Sequence, residues 1–223
     1  MIYILDFMKS QRSNNVIVNH HNLDHFVLLA GALGIHSEED LATKNYIISP
    51  SYSKDKYVYY IKTTHFELMI SFYLKKNFVK INQLSSFGET DKVALKLLLE
   101  QVKHLTKSGY DYITLVADRD DKQTVLVGDQ QIKPNGYIVW GKYSFLIKNS
   151  KNNLLMRLKD FRKIVKDARR DEKTLFDLLI DKHNGGVALW VSQGKAWLGR
   201  FSLGKGSTSR KRLSEISKKL NRV

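Results

Sequence analysis

The densest cluster of metal-ligand side chains is His20, His21, Asp24 and His25. His21 and His25 are four residues apart and would share one face of a helix, as paired zinc ligands do. No Glu stands between them to act as a base, and no third ligand is evident beyond Asp24 or His36, so we read no metal site there. Asp118, Asp120 and Asp121 carry oxygen donors suited to a hard cation, but they sit in a polar stretch that reads as a solvated loop. Gly204, Gly206 and Ser207 precede a helical pattern and resemble a phosphate cradle. The spacing and the ordered Lys-Ser/Thr of a nucleotide-binding loop are absent. Trp190 and Trp197 offer faces on which bases could stack, although large aromatics in apolar segments more often build a core.

The positive charge is unevenly placed. The 223 residues carry a net charge of +15, and residues 151–223 hold 19 Lys and Arg against 7 Asp and Glu. A nearly neutral body is followed by a basic part, and such a part suits nucleic acid, a membrane surface or an acidic partner protein. Within it, Arg210, Lys211, Arg212, Lys218, Lys219 and Arg222 are the candidate contacts for nucleic acid or a partner protein. There is no cysteine, which excludes disulfides, a thiol nucleophile and thiolate metal sites. No apolar run reaches membrane-spanning length, and in Met1–Arg12 the basic residues follow the short apolar stretch, the wrong order for a secretory signal. The expectation is a soluble protein, intracellular or virion-located, with no membrane partner.

Periodicity places these residues on elements. Leu23–Ile35 reads as a helix, and Tyr46–Ser49 as an extended run stopped by Pro50. Lys56–Lys62, His65–Leu74 and Asn77–Leu84 are aromatic and β-branched with tight joints, which predicts an antiparallel meander. Ala94, Leu97, Leu98, Val102 and Leu105 fall at helical spacing within Thr90–Lys107. Tyr112–Ala117 reads as a strand buried on both faces. Short strands follow at Thr124–Val127 and Tyr143–Ile147, with a helix or turn at Tyr137–Trp140 between them. Leu154, Leu158, Phe161, Val165 and Ala168 then mark a helix with a narrow apolar seam and a strongly basic back. After a helix near Leu175–Lys182, Val187–Val191 and Trp197–Leu203 read as a β-hairpin, and Thr208–Asn221 as a final helix burying Leu213, Ile216 and Leu220 and exposing its cations. The fold class is α+β, a mixed, mostly antiparallel sheet flanked by helices with a basic helical and hairpin C-terminal part. The expected divisions are 1–55, 56–150 and 151–223.

Meander, helix, buried strand, short helix, strand is also the element order of the GNAT acetyltransferases. Gly109-Tyr110-Asp111-Tyr112-Ile113-Thr114-Leu115-Val116-Ala117 is similar to that family's passage from central helix to strand. Asn135-Gly136-Tyr137-Ile138-Val139-Trp140 through Phe145 is similar to its later Asn-to-Gly-Phe segment, in a form that resembles GNAT-like domains of tailed-phage proteins. Trp197–Leu203 and Gly206–Ser209 resemble the tail of those phage domains. The resemblance covers about Lys56 to Val223. It implies acetyl-CoA as cofactor, cradled by backbone N–H groups at the start of the central helix, with Gly88 and Thr90 at the cradle positions. Only Gly88 keeps the family's small residue there; Thr90 replaces the second glycine, and Glu89 and Asp91 add negative charge where pyrophosphate would lie. Thr90 followed by acids also makes an ordinary helix start. The resemblance further implies a general-acid Tyr where Trp140 stands, and an indole cannot serve as that acid. Tyr143 and Tyr137 are nearby substitutes, Glu67 is the candidate base, and Ser144 replaces the glycine of Gly-Phe.

Three functions follow as expectations. The first is a non-catalytic, GNAT-like phage protein acting as a structural or interaction component beside other virion or complex proteins, with no cofactor. The second is an acetyl-CoA-dependent N-acyltransferase with a non-standard site. The third is nucleic-acid binding through the basic C-terminal part.

Overall fold

In the computed structural model, residues 47–53, 56–62, 66–86, 91–117, 125–127, 130–132, 136–180 and 185–220 are described. Packing divides the chain into two compact units between Asp111 and Tyr112. The architecture is α+β with mostly antiparallel pairing. No described helix is long and apolar enough to cross a membrane. The helix expected at Leu23–Ile35 lies outside the described residues.

The first unit is the predicted meander with one strand added. Strands β1 (Ile47–Ser53), β2 (Lys56–Lys62), β3 (Phe66–Tyr73) and β4 (Phe78–Ser86) pair antiparallel in sequence order. Pro50 was expected to stop β1, but the strand runs through it, with Pro50 opposite Tyr59. Within this unit β1 has a described partner on one side only, and an edge strand tolerates a residue without an N–H donor. Alternation on β3 buries Leu68, Ile70 and Phe72, which meet Tyr59 of β2 and Val79 and Ile81 of β4. Asn77, in the left-handed region at φ 46°, makes the turn into β4, a conformation Asn tolerates well. Helix α1 (Asp91–Lys107) buries Leu95, Leu98, Val102 and Leu105. It ends at Gly109, whose φ of 77° lets the Tyr110 N–H reach back to the Leu105 carbonyl at 3.1 Å.

The second unit is built on strands β5 (Tyr112–Ala117), β8 (Leu146–Lys148) and β9 (Trp197–Ser202), with β9 between the other two and antiparallel to both. A small hairpin, β6 (Val125–Val127) and β7 (Gln130–Ile132), stands apart from them. Gly199 lies opposite both Leu115 and Ile147, and a Cβ there would come within 3.0 Å of the Trp197 indole and 3.1 Å of Leu115. The missing side chain lets Trp197 lie across the sheet, fully buried. β5 was expected to be covered on both faces. Ile113, Leu115 and Ala117 are buried, whereas Tyr112 and Thr114 are half-buried and Val116 is 42% exposed, so only one face is fully covered.

Two helical expectations are corrected. The expected hairpin strand at Val187–Val191 is instead part of helix α5 (Gly186–Gln193). A short run that is apolar throughout has no period to separate strand from helix, and tertiary packing decides. Gly185 adopts φ 67° at its start. Gly186 sits so close to the preceding helix α4 (Leu175–Ile180) that an added Cβ would fall 2.0 Å from the Leu178 carbonyl oxygen. The basic helix α3 (Leu158–Asp167) begins four residues later than its apolar pattern suggested. Leu154 is 83% exposed in a turn held by its N–H on Asn152 Oδ1, at 2.9 Å. The start of α3 is fixed by Asp160, whose carboxylate accepts the Arg157 N–H at 3.0 Å, and by Asn149, which accepts the Leu158 N–H at 3.1 Å.

Helices α2 (Gly136–Lys142) and α6 (Thr208–Leu220) complete the unit. The turn after α2 holds a strained residue. Ser144 has φ 69°, is fully buried, and its hydroxyl has no hydrogen-bond partner among the described residues. A side chain in the left-handed region costs about 1–2 kcal/mol, and Ser144→Gly removes both that strain and a buried polar atom. Thermal unfolding is expected to show Ser144→Gly about 1 kcal/mol more stable, a rise in Tm of about 2–4 °C.

Candidate functional site

Three groups of residues were expected to carry function, and the structure treats them differently. At the position expected of an acid, Trp140 on α2 is half-buried, edge-on to Phe145 at 5.2 Å and to Tyr143 at 6.4 Å between ring centroids. Tyr143 is buried beside it. The Ser144 carbonyl accepts the Ser209 hydroxyl at 2.9 Å, which ties this turn to α6. Gly141 packs against α4 so tightly that a Cβ would lie 2.6 Å from Leu179 Cδ1. The segment is therefore an aromatic wedge locked between helices. Tyr137 lies on the same helix and Glu67 lies on β3 opposite Ser85, but their side chains fall outside the described residues. So do Gly88 and Thr90, the His20–His25 cluster, and Asp118, Asp120 and Asp121. Among the described residues no group of three or more His, Cys, Asp or Glu could hold a metal ion.

The Gly204–Ser207 segment is a turn that caps a helix. The Ser207 N–H donates to the Gly204 carbonyl at 3.1 Å, and its hydroxyl donates to the Ser202 carbonyl at 2.8 Å. The same hydroxyl accepts the Arg210 N–H at 3.4 Å, at the start of α6. Trp190 and Trp197 are both fully buried and belong to the core, not to a base-stacking surface.

The expectation that α6 exposes all its cations is corrected at two of them. Arg212 donates to Thr174 Oγ1 at 2.8 Å and to Asp177 Oδ1 at 2.7 Å, with its guanidinium 4.5 Å above the Phe176 ring. Arg210 donates to the Leu203 carbonyl at 3.2 Å. Both are half-buried and clamp α6 onto the unit, a task for a planar, multi-donor cation. Lys211 and Lys218 are exposed, whereas the Lys219 side chain and Arg222 lie outside the described residues. Ile216 is only half-buried, so Leu213 and Ser209 carry the described buried face of α6.

The uncommitted charge lies on α3. Phe161 and Val165 are buried, and Phe161 packs edge-on to Trp190 of α5 at 6.0 Å. With that seam turned inward, Lys159, Arg162, Lys163 and Lys166 are all exposed. Their spacing is i, i+3, i+4, i+7, one continuous helical face. None makes an ion pair with a described residue; beyond the helix Arg169 and Lys173 are also exposed, with an exposed Asp171 between them. On α3 itself the acids are Asp160, held at the helix start, and an exposed Asp167 at the end. The basic back of this helix was visible in the sequence, but its four residues were not singled out as a site; their spacing was the available signal.

Comparison with protein-family models and with curated proteins finds no match.

The different roles of neighbouring cations on α6 are directly measurable. Among the described residues, Arg212→Ala leaves the side chains of Thr174 and Asp177 with only the bonds these two residues make to each other, and it is expected to cost about 1–2 kcal/mol in denaturant unfolding. Lys211→Ala, one position earlier and exposed, is expected to change stability by less than about 0.5 kcal/mol.

Proposed function

We propose that this chain is a non-catalytic protein that works by binding, a GNAT-like scaffold of the tailed-phage kind used as a structural or interaction component. The carrying observation is Trp140. Where a working acetyltransferase-like site would present an ionisable hydroxyl, this chain has an indole packed edge-on between Tyr143 and Phe145. An indole N–H cannot protonate a leaving thiolate, and the surrounding wedge is organised for packing. Ser144, where the resemblance expects glycine, is held strained and buried in the same turn.

The element order supports the scaffold half of this reading: a meander, a long helix, a strand, a short helix and another strand occur in the described residues. The charge distribution supports the binding half. An acetyl-transfer site does not need a row of solvent-facing cations on a helix, whereas a docking surface uses one directly. Fold alone does not assign function, so the reading stands on the occupied acid position and the free basic face.

Titration calorimetry of the full chain with acetyl-CoA is expected to give no binding heat at millimolar cofactor. Saturable binding accompanied by acetylation of an amine acceptor would overturn the reading. In purified particles the chain is expected at a fixed copy number.

A further inference from the structure

We infer that the exposed face of α3 binds the phosphate backbone of nucleic acid, with Lys159, Arg162, Lys163 and Lys166 as the contacting cations. The inference rests on the proposal of a binding role and names its partner.

The geometry favours a phosphate polymer. Lys159 and Lys166 are seven positions apart, or about 10 Å along a helix that rises 1.5 Å per residue. A duplex of that length carries about six phosphate charges, one per roughly 1.7 Å of axis. About three of these lie on each strand, so the four cations, on long flexible stems, can reach phosphates of the two strands that flank one groove without the helix bending. Three of the four are lysines, point charges on flexible stems that follow a backbone without demanding fixed bidentate geometry.

The same face is poorly suited to other anionic partners. Protein interfaces have apolar or aromatic centres and are depleted of Lys. This face has no aromatic, Met or aliphatic residue between its cations; of the apolar residues of α3, Phe161 and Val165 are buried and Leu158 and Ile164, which flank the cationic row, are half-buried. A helix that lies on a membrane inserts its apolar side, and here that side is already covered by Trp190. The exposed Leu154 precedes α3 by four residues and sits in a turn outside the helix.

The α6 cations, expected from sequence to be the contact surface, are a weaker candidate. Arg210 and Arg212 are held by the Leu203 carbonyl and by Thr174 and Asp177, and using them would break those bonds. The structure thus moves the contact surface from one helix to another within the same unit, and two sets of substitutions can separate them.

The test uses the full chain and a 20-base-pair duplex of mixed sequence, with fluorescence anisotropy read across a salt series. Wild type is expected to bind with a log–log salt slope of about −4, the value for four neutralised phosphates. Lys159→Glu, Arg162→Glu, Lys163→Glu and Lys166→Glu together are expected to reduce affinity at least about 30-fold and flatten the slope. A control with the same change in net charge, Lys142→Glu, Lys205→Glu, Lys211→Glu and Lys218→Glu, is expected to lose less than about 5-fold. Equal losses in the two variants would mean that binding follows net charge alone, which overturns the inference. It is overturned equally by no duplex binding in wild type, or by tighter binding to phosphatidylserine vesicles or polyglutamate at the same salt. If the fourfold α3 variant does not fold, Lys159→Gln with Lys163→Gln replaces it, and the slope should then fall by about 2. A chain that binds neither duplex nor acetyl-CoA refutes this inference alone, whereas turnover of acetyl-CoA refutes the non-catalytic reading whatever the duplex does.

Discussion

The edge-on contact between Phe161 and Trp190 determines which way α3 faces. The helix has only two buried side chains, Phe161 and Val165, so its apolar seam is narrow and its rotation about its own axis depends on them. Trp190 is the larger half of that contact and is itself placed by tight packing. Gly186, one turn earlier on α5, approaches the Leu178 carbonyl more closely than any other residue could. Gly194 closes the same helix with its N–H on the Trp190 carbonyl at 2.7 Å. Aromatic pairs of this kind contribute about 0.5–1.5 kcal/mol beyond the area they bury. With Phe161 held inward, the four cations of α3 have no direction left but solvent.

The second unit divides its positive charge by chemical type. Several arginines are engaged internally: Arg170 with Glu172, Arg200 over the Tyr112 ring at 3.8 Å, Arg210 with the Leu203 carbonyl, and Arg212 with Asp177 and Thr174. A guanidinium suits these places because it is planar, weakly hydrated and rich in donors. Many of the exposed cations are lysines, which keep their ammonium groups in water and remain available to a partner. A basic composition alone would not predict a site. Most described arginines of this unit are engaged and its described lysines lie in solvent, and the exposed α3 face, with three lysines and Arg162, is left without an ion-pair partner among the described residues. The aromatic wedge around Trp140 is likewise committed to packing, with the indole edge-on to Tyr143 and Phe145.

Much of the fold was legible in the sequence where period and composition agree. The strands from Lys56 to Leu84 alternate and are rich in aromatic and β-branched residues, and they form the meander they predict. The Leu98, Val102 and Leu105 series names the buried face of α1. Failures occurred where a local pattern was ambiguous or a distant group intervened. Val187–Val191 is apolar at every position, so only its packing against α4 and Phe161 could show it to be helical. Leu154 continues the spacing of α3, yet Asn152, Asn149 and Asp160 supply hydrogen bonds that begin the helix later. Pro50 reads as a stop only if its strand has partners on both sides. The candidate site was half legible. The basic back of α3 was apparent, but helix periodicity could not reveal that Asp177, Thr174 and the Leu203 carbonyl occupy the arginines of α6, because those partners come from other elements.

The most direct measurement is residue-by-residue: amide NMR shifts of the isotope-labelled chain during titration with a short duplex at low salt. The account predicts shifts concentrated on 159–169 that disappear as salt is raised, with 208–220 and the meander of the first unit little changed. Shifts centred on α6, or spread evenly over every exposed lysine, would contradict it.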